Sequence, residues 1–293
     1  MTPALSILVT VYNRQEFLAE TLQSILNSSF LDFELIIVDD CSTDESLQIA
    51  EHFAASDDRI CVSRNEKNLG DYENRMKAAA LASGRYLKYV DSDDLIYPYA
   101  LQIMVDAMKQ HPDAAVGLAH SMPEDDEPYP WKLSPEDAYE KHFLKRGCMS
   151  CGPTGAIIRR DIFEQTGGFR KEWGVLSDSD LWYRIAAKHP ILLLPPGLVW
   201  WRRHDGQEYT KDGAAMDYLR RGYELDVLHL STDVCPLSEK KQKAAIVRKR
   251  QHMARHLVAL ATKGRSPGLA LRLRKQIKLS WGEMVTGLRG YQS

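Results

Sequence analysis

Apolar segments of strand length alternate with helical patterns through the first hundred residues. The strand candidates are Leu5–Val11, Phe33–Val38, Ile60–Ser63 and Tyr86–Val90. Leu5–Val11 is apolar almost throughout, which is typical of a parallel strand covered on both faces. Such strand–helix repeats predict an α/β fold with a right-handed, doubly wound and mainly parallel sheet.

Polar side chains follow three of these strands directly. Tyr12-Asn13-Arg14 follows the first strand, Asp39-Asp40 the second and Asp91-Ser92-Asp93-Asp94 the fourth. Ligands of doubly wound sheets bind beyond the carboxyl ends of the strands, so these groups are expected along one rim. No GxGxxG follows the first strand, which argues against a dinucleotide cofactor.

The segment Arg85–Tyr97 places three carboxylates, Asp91, Asp93 and Asp94, at the end of a buried strand. Carboxylates so close repel one another and resist desolvation unless a positive charge lies between them. A divalent cation with a polyphosphate on its far side would supply that charge. The alternative is a solvated turn, in which Asp is favoured for turn formation.

Composition restricts the class of protein. The 293 residues are 44% hydrophobic and 27% charged, as in ordinary globular proteins. The net charge of −2 gives no reason to expect nucleic-acid binding, and no apolar run reaches membrane-spanning length. The first residues are expected to form a strand, not a signal peptide. Five scattered cysteines favour a reducing cytoplasm.

Four further local predictions follow from the pattern. Ser42 and Glu45 have the spacing of a capping box at a helix start. Asp180 can be explained as a favourable acid at the start of the helix Leu181–Ala187. Residues 121–150 are expected to form a long loop with a short helix, of the kind used as a lid. Arg202-Arg203-His204, at a strand end, suits phosphates and a metal.

The C-terminal part is helical and basic. Between Glu239 and Lys278 there are thirteen Lys or Arg and one acid. A single last helix is expected to carry the apolar stripe Leu269, Leu273, Ile277, Trp281, Met284 and Leu288. That stripe could lie on an anionic membrane surface, or pack on the preceding domain or a second subunit.

Several motifs, in their order and spacing, resemble family 2 inverting glycosyltransferases of the GT-A fold, which depend on nucleotide sugars. The motifs are SILVTVYNR, ELIIVDDCSTDES, NLG, VDSDD, the GGF turn and SDSDLWYR, and the resemblance covers roughly residues 4–205. It implies a GT-A catalytic domain over 1–210 and a helical, basic extension over 211–293.

The resemblance also implies roles for individual residues. Asp178 matches the catalytic base, and Asp91 and Asp93 of the DxD motif, with His204, match the metal site. Asp40 matches the residue that hydrogen-bonds the base of the nucleotide. The full set of residues implied to bind the nucleotide sugar is Thr10, Tyr12, Arg14, Asp40, Arg75, Asp91, Ser92 and Asp93.

Two positions depart from the family pattern. Ser177 stands where Glu usually precedes the catalytic base, and Met76 stands where Asn often follows Arg75. Asn74 lies two positions before Met76 and is a candidate to take over that role.

The implied activity is metal-dependent transfer of a sugar, with UDP-sugars as the commonest donors and Mn²⁺ or Mg²⁺ as cofactor. A glycan or lipid-linked acceptor in bacterial surface polysaccharide synthesis is expected. The expected location is the cytoplasm, with the basic tail either at the inner face of the membrane or in a homodimer. Two alternatives are a non-catalytic carbohydrate- or nucleotide-sugar-binding module and a nucleotidyltransferase, although the latter would need a Gly-rich loop after the first strand.

Overall fold

The computed structural model describes residues 2–119, 127–205, 207 and 214–289. The chain divides into two compact units, one of residues 1–138 with 148–204 and the other of residues 139–147 with 205–293. The domain limits 1–210 and 211–293 remain a prediction.

The first unit contains all ten strands of the described chain. In chain order these strands are β1 Leu5–Val11, β2 Phe33–Asp39, β3 Ile60–Arg64, β4 Tyr86–Tyr89, β5 Leu95–Ile96, β6 Val116–Ala119, β7 Trp131–Leu133, β8 Ala156–Arg159, β9 Ile191–Leu194 and β10 Val199–Trp200.

Eight strands form one sheet in the order β3-β2-β1-β4-β8-β6-β9-β7, and β5 pairs with β10 in a short antiparallel ribbon. Strand β1 is parallel to both β2 and β4, whereas β8 runs antiparallel between β4 and β6. The predicted mainly parallel α/β sheet is therefore confirmed. The chain places β2 and β3 on one side of β1 and then crosses to place β4 on the other side. This reversal of strand order creates a crevice beyond the carboxyl ends of β1 and β4.

Helices cover both faces of the sheet. Up to residue 186 they are α1 Leu18–Leu26, α2 Ser46–Ala54, α3 Asp71–Leu81, α4 Ala100–Gln110, α5 Pro135–Tyr139, α6 Arg160–Thr166 and α7 Ser177–Ala186. The stripe Leu18, Leu22 and Ile25 of α1 is fully buried in one cluster with Ile7 and Val9 of β1. Burial of this stripe fixes α1 beside the rim that β1 leads into.

The predicted capping box at Ser42 and Glu45 is wrong. Helix α2 begins at Ser46, and its N-cap residue Glu45 makes no side-chain capping bond. The hydroxyl of Ser42 instead accepts the backbone N–H of Asn13 at 3.0 Å, which joins the loops after β1 and β2. A long-range partner therefore replaces the local one that the spacing indicated.

Asp180 lies in the first turn of α7, where an acid is favourable as predicted. Its fully buried side chain also lies 2.7 Å from Arg184 Nε, one turn further along the helix. The segment predicted as a long loop has β7 and α5 in its described part, followed by a π-helical turn over Glu140–Leu144. Residues 121–126 of that prediction lie outside the described chain.

The second unit is helical. Its helices are α8 Ala214–Leu230, α9 Glu239–Thr262, α10 Pro267–Gln276 and α11 Trp281–Arg289. The expected single last helix is wrong, because the chain breaks between α10 and α11, where Lys278 has φ +55°. Within residues 2–119, 127–205 and 214–289, no helix is both long and apolar enough to cross a membrane.

Most of the predicted apolar stripe packs inside this helical unit. Leu273, Ile277 and Met284 are buried in one cluster with Met253 and Leu257 of α9. Trp281 is the exception, with 60% of its surface exposed. The side chain of Leu288 lies outside the described residues. The stripe therefore serves chiefly as a core between α9, α10 and α11.

Candidate active site

The loops that follow β1 and β2 hold each other in place at the rim. Asn13 adopts φ +49°, a left-handed conformation that Asn tolerates better than most residues. Its backbone N–H donates to Ser42 Oγ, and the N–H of Arg14 donates to Ser46 Oγ at 2.8 Å. These bonds fix the backbone from which the Arg14 side chain extends.

The acidic turn after β4 is also fixed by hydrogen bonds. The hydroxyl of Thr21 on α1 donates to the carbonyl oxygens of Ser92 and Asp94, at 3.1 and 2.9 Å. The N–H of Asp91 donates to Thr154 Oγ1 at 3.0 Å. These three bonds are long-range in sequence, so the fold holds the turn in addition to its own bond from the N–H of Asp94 to the carbonyl of Asp91.

Three predicted site residues meet at the Asp93 carboxylate. Its Oδ2 lies 3.1 Å from Arg14 Nε and 3.0 Å from His204 Nε2. The His204 ring packs at 4.5 Å, between centroids, from the ring of Phe17. The side chains of Asp93 and His204 remain partly accessible, so a ligand can approach Asp93 Oδ2 and His204 Nε2, which lie 3.0 Å apart.

The other acid of the DxD motif, Asp91, faces a different cation. Its Oδ1 accepts from Arg75 Nη1 at 2.8 Å, and Arg75 Nε lies 2.8 Å from Asp71. The Tyr89 hydroxyl donates to the backbone carbonyl of Arg75. Arg75 is thus a buried cation held between two carboxylates, and its two ion pairs hold the guanidinium at the rim.

The chemistry of these donors fits a divalent cation that binds together with a diphosphate. No group of three or more His, Cys, Asp or Glu able to hold a metal exists among the residues that the structure describes. Asp93 and His204 supply one carboxylate and one imidazole. Mg²⁺ and Mn²⁺ sites commonly use one or two protein ligands and take the remaining ones from substrate phosphates and water.

Asp40 lies at the same rim, but its carboxylate accepts hydrogen bonds from other residues of the protein. Its carboxylate accepts from the N–H groups of Leu69 and Gly70, at 2.8 and 2.9 Å, and from Asn65 Nδ2 at 2.6 Å. Asn65 Nδ2 also donates to Asn74 Oδ1. Asn74 is therefore linked to the Asp40 network, and Asp40 holds the loop that leads into α3.

Asp178 lies partly buried in the first turn of α7, and its Oδ1 accepts the N–H of Ser179 at 2.6 Å. Burial raises the pKa of Asp178 to about 7, opposed by that hydrogen bond and by the charge of Arg75; Asp91 adds to the rise. Burial also raises the pKa of the Tyr72 hydroxyl, with Asp178 as a further cause. Asp178 is thus electrostatically coupled to the Arg75–Asp91 pair.

Ser177, the residue that replaces the usual Glu, joins the two ends of the segment Arg170–Ser177 before α7 by hydrogen bonds. Its Oγ donates to the carbonyl of Arg170 at 2.7 Å and accepts the N–H of the same residue. Arg184 reaches back from α7 and donates to the carbonyl oxygen of Gly168. These contacts hold the GGF turn against the helix that carries the candidate base.

Met76, the second departure from the family pattern, is directed at the GGF turn. The backbone N–H of Phe169 donates to Met76 Sδ at 3.3 Å. A Cβ on Gly168 would lie 2.5 Å from the same sulfur. Met76 therefore packs under the turn, and its sulfur takes no part in the network around Asp40.

An open cleft of about 570 Å³ lies next to the Asp93 turn. Its lining combines aromatic and basic side chains: Phe17, Trp200, Trp201, Arg202, Arg203 and His204. Arg202 has a structural part here, since its Nε donates to the carbonyl of Asp93 and its Nη2 lies 2.6 Å from Glu20. The strand end predicted to bear positive charge is thus bound directly to the acidic turn.

Of the other predicted residues, Thr10 is buried near the end of β1, and Tyr12 is 46% exposed at the rim. Two residues were missed. Lys88 is fully buried in β4 and its Nζ donates to the carbonyl of Thr154. The Thr154 hydroxyl bonds both Asp91 N–H and the Asp94 carboxylate. No local pattern signals Thr154, but a lysine inside an apolar strand is a signal that the sequence does contain.

Solved structures share this fold. Staphylococcus aureus TarS residues 1–349, solved with UDP-GlcNAc, superimposes with a TM-score of 0.71 at 19% identity, covering 93% of this chain and 80% of that chain. The mannosyltransferase PcManGT from Pyrobaculum calidifontis, solved with GDP-Man and Mn²⁺, gives 0.59 at 17% identity, covering 99% and 87%. At such identities the likeness establishes the fold alone.

Sequence comparisons go further. Bacillus subtilis (strain 168) TuaG, named for teichuronic acid biosynthesis, is 33% identical over 172 residues, which are 56% of this chain and 64% of TuaG. Streptococcus pneumoniae glycosyltransferase GlyG is 28% identical, covering 70% of this chain and 73% of GlyG. The family model described as Glycosyl transferase family 2 matches residues 6–167, which include both rim loops and the acidic turn. With more than half of its length matched, and with the fold confirmed, this chain belongs to glycosyl transferase family 2.

Proposed function

We propose that this chain transfers a sugar from a nucleoside-diphosphate donor to an acceptor hydroxyl, with inversion at the anomeric carbon and with a divalent cation. One observation supports this reaction most strongly. Asp93 Oδ2 meets Arg14 and His204 at one rim, and a carboxylate with a pKa of about 7, Asp178, is electrostatically coupled to that rim. The Asp93, Arg14 and His204 cluster suits the leaving diphosphate, and the Asp178 carboxylate suits the attacking hydroxyl.

The donor is a nucleotide sugar in this proposal. TarS was solved with UDP-GlcNAc and with UDP, and PcManGT with GDP-Man, so proteins of this fold bind such donors. We expect UDP as the nucleotide, with the exposed ring of Tyr12 and the buried Thr10 beside it. Asp40 and Arg75 would contribute by shaping the loop and helix that line the nucleotide.

Asp93 and His204, with Asp91 nearby, are the residues that would hold Mn²⁺ or Mg²⁺. Such an ion, when bound, supplies Lewis-acid stabilisation of the charge that develops on the leaving diphosphate. Arg14 adds a fixed positive charge at the same carboxylate, 3.1 Å from Asp93 Oδ2. Positive groups positioned before the reaction stabilise developing negative charge at little reorganisation cost.

The transfer itself is a single displacement. The Asp178 carboxylate removes the proton from the acceptor hydroxyl as that oxygen bonds to the anomeric carbon. The bond between that carbon and the diphosphate oxygen breaks, and its electron pair leaves with the nucleoside diphosphate. A pKa of about 7 suits a general base at neutral pH, because the ionised form is populated and still basic enough to accept the proton.

We further propose a glycan or lipid-linked acceptor in surface polysaccharide synthesis. The name of TuaG concerns teichuronic acid biosynthesis, which supports a polysaccharide product. The cleft lined by Trp200, Trp201 and Arg203 offers aromatic faces suited to sugar rings. The acceptor would approach Asp178 from the side opposite the diphosphate.

A panel of UDP- and GDP-sugars, incubated with the chain and Mn²⁺, tests the proposal through release of nucleoside diphosphate. We expect release from one donor class, faster with an acceptor present, and loss of release when EDTA replaces Mn²⁺. Tight donor binding without any release, by any sugar in the panel, would favour a non-catalytic binding module instead.

A further inference from the structure

The C-terminal helices carry basic side chains of two kinds. On α9 some are paired within the helical unit: Lys249 Nζ lies 2.7 Å from Asp226, and Arg250 Nη1 lies 2.7 Å from Glu283. Arg272, Lys275 and Lys278 are exposed instead, and none belongs to an ion pair with any residue that the structure describes. Their charge is available to an anion outside the molecule.

Exposed apolar side chains lie beside these cations. Trp281 is 60% exposed, Val285 47% and Leu271 45%. Trp281 and Val285 are four residues apart on α11 and therefore share a face, as Leu271 and Lys275 do on α10. The Arg274 guanidinium lies 4.3 Å from the Trp281 ring centroid, which brings the end of α10 to the start of α11.

These residues form what we call the basic–aromatic patch: Leu271, Arg272, Lys275, Lys278, Trp281 and Val285. They are not needed for the core of the helical unit, because other apolar residues of α10 and α11 fill it. Leu273, Ile277 and Met284 already pack against α9. Three large apolar side chains thus remain at the surface among cations that pair with no acid of the described residues.

We propose that the basic–aromatic patch binds the surface of an anionic lipid bilayer. Residues 263–289 include seven Lys or Arg and one acid, and that acid, Glu283, is paired with Arg250. Anionic headgroups attract such clusters, while Trp and aliphatic side chains enter the headgroup boundary.

Other partners fit the patch less well. A soluble polyanion, such as a nucleic acid or an acidic protein, would use the cations but would not require Trp281, Leu271 and Val285 to be exposed. A neutral apolar partner would leave Arg272, Lys275 and Lys278 without a counter-charge. Only an interface that is both anionic and apolar contacts the cations and the apolar side chains of the patch together.

The test is co-sedimentation of the full chain with phosphatidylcholine vesicles and with vesicles that also contain phosphatidylglycerol. We expect binding to the anionic vesicles only, weakened by added salt. Arg272→Gln/Lys275→Gln should weaken it about 25-fold, since each cation near the surface contributes roughly fivefold. Trp281→Ser should also weaken it several-fold.

Lys240→Gln/Lys243→Gln provides the control, because it removes two exposed charges at the start of α9, outside the patch, one of which (Lys243) lies 3.6 Å from Glu239. That variant should bind anionic vesicles like the wild type. All of these substitutions are at exposed positions, so thermal unfolding should be unchanged and donor turnover in solution should be retained.

Three results would overturn the proposal. One is equal binding to vesicles with and without phosphatidylglycerol, and another is equal weakening by the patch and control variants. The third is retention of heparin that depends on Arg272 and Lys275 but not on Trp281, without vesicle binding, which would identify a soluble polyanion as the partner. None of these results bears on sugar transfer, which is measured separately.

Discussion

The buried ammonium of Lys88 donates a hydrogen bond to the backbone carbonyl of Thr154, the residue whose hydroxyl bonds Asp91 and Asp94. The Lys88 cation in the middle of β4 therefore helps to hold Thr154, whose hydroxyl in turn holds the acidic turn. Burial lowers the pKa of Lys88 to about 8, and the carboxylates of Asp91 and Asp94 oppose that shift.

This pKa shift predicts how Lys88 affects stability as pH changes. Between pH 8 and the ordinary lysine pKa near 10.5, the unfolded chain binds the Lys88 proton more often than the folded chain. Unfolding free energy should therefore rise with pH across that window, by about 3 kcal/mol from this group. Lys88→Met should remove the rise, measured as the difference between urea unfolding curves of wild type and variant at each pH. A difference that does not vary with pH would contradict the assignment.

Asp178→Asn should bind the donor normally but slow transfer by about 10²–10⁴-fold, the usual contribution of a general base. Wild-type transfer should rise about tenfold per pH unit up to pH 7 and then level off, because only the ionised carboxylate accepts the proton. The variant should lose this dependence. Glu164→Gln, an exposed change on α6, is the control. Wild-type turnover in Asp178→Asn would remove this residue from the role of base.

The buried pair Asp180–Arg184 should matter far more to stability than an exposed pair of the same spacing. Asp180→Ala leaves the buried guanidinium without its carboxylate and should cost about 3–5 kcal/mol. Glu164→Ala removes an exposed partner of Arg160, also four residues away, and should cost less than about 1 kcal/mol. Guanidinium chloride unfolding of both variants measures the difference. An equal loss of unfolding free energy in the two variants would mean that burial does not strengthen the Asp180–Arg184 pair.

The GGF turn offers a matched pair of glycines. Both have positive φ, +81° at Gly167 and +61° at Gly168, but only Gly168 has neighbours, Met76 and Phe163, where a Cβ would go. Gly167→Ala should cost about 1–2 kcal/mol from backbone strain alone. Gly168→Ala should cost about 1–3 kcal/mol more through overpacking. Shortening Met76 in Gly168→Ala/Met76→Ala should recover part of the added cost, and Phe163 should account for the rest. Additive losses would rule out the clash with Met76.

Much of the fold could be predicted from the sequence because several strands of the sheet are almost entirely apolar and are buried on both faces. The runs Leu5–Val11 and Ile191–Leu194 are buried throughout, so hydrophobicity alone locates them. The polar residues after β1, β2 and β4 then had to share a rim, and Arg14 and Asp93 are in contact there. Such predictions depend only on local sequence and on the connection rules of parallel sheets.

The predictions that failed depended on partners distant in sequence. Ser42 bonds Asn13 across two loops, so its spacing to Glu45 gave a false capping box. The role of Thr154 depends on three residues of another strand and turn, which no local pattern reports. The last helix was predicted as continuous because its apolar spacing runs on through the break at Lys278.

Calorimetric titration of UDP into the chain, with Mn²⁺ and with EDTA, measures whether UDP binding depends on a divalent cation held by Asp93. Asp93→Asn should abolish the metal dependence, while Asp57→Asn, whose carboxylate pairs with Arg59 away from the Asp93 contacts, should leave it intact. The wild type should bind UDP tightly only with Mn²⁺, and Asp93→Asn should bind it weakly under both conditions. Equal UDP affinity with and without Mn²⁺ in the wild type, unchanged by Asp93→Asn, would contradict this prediction.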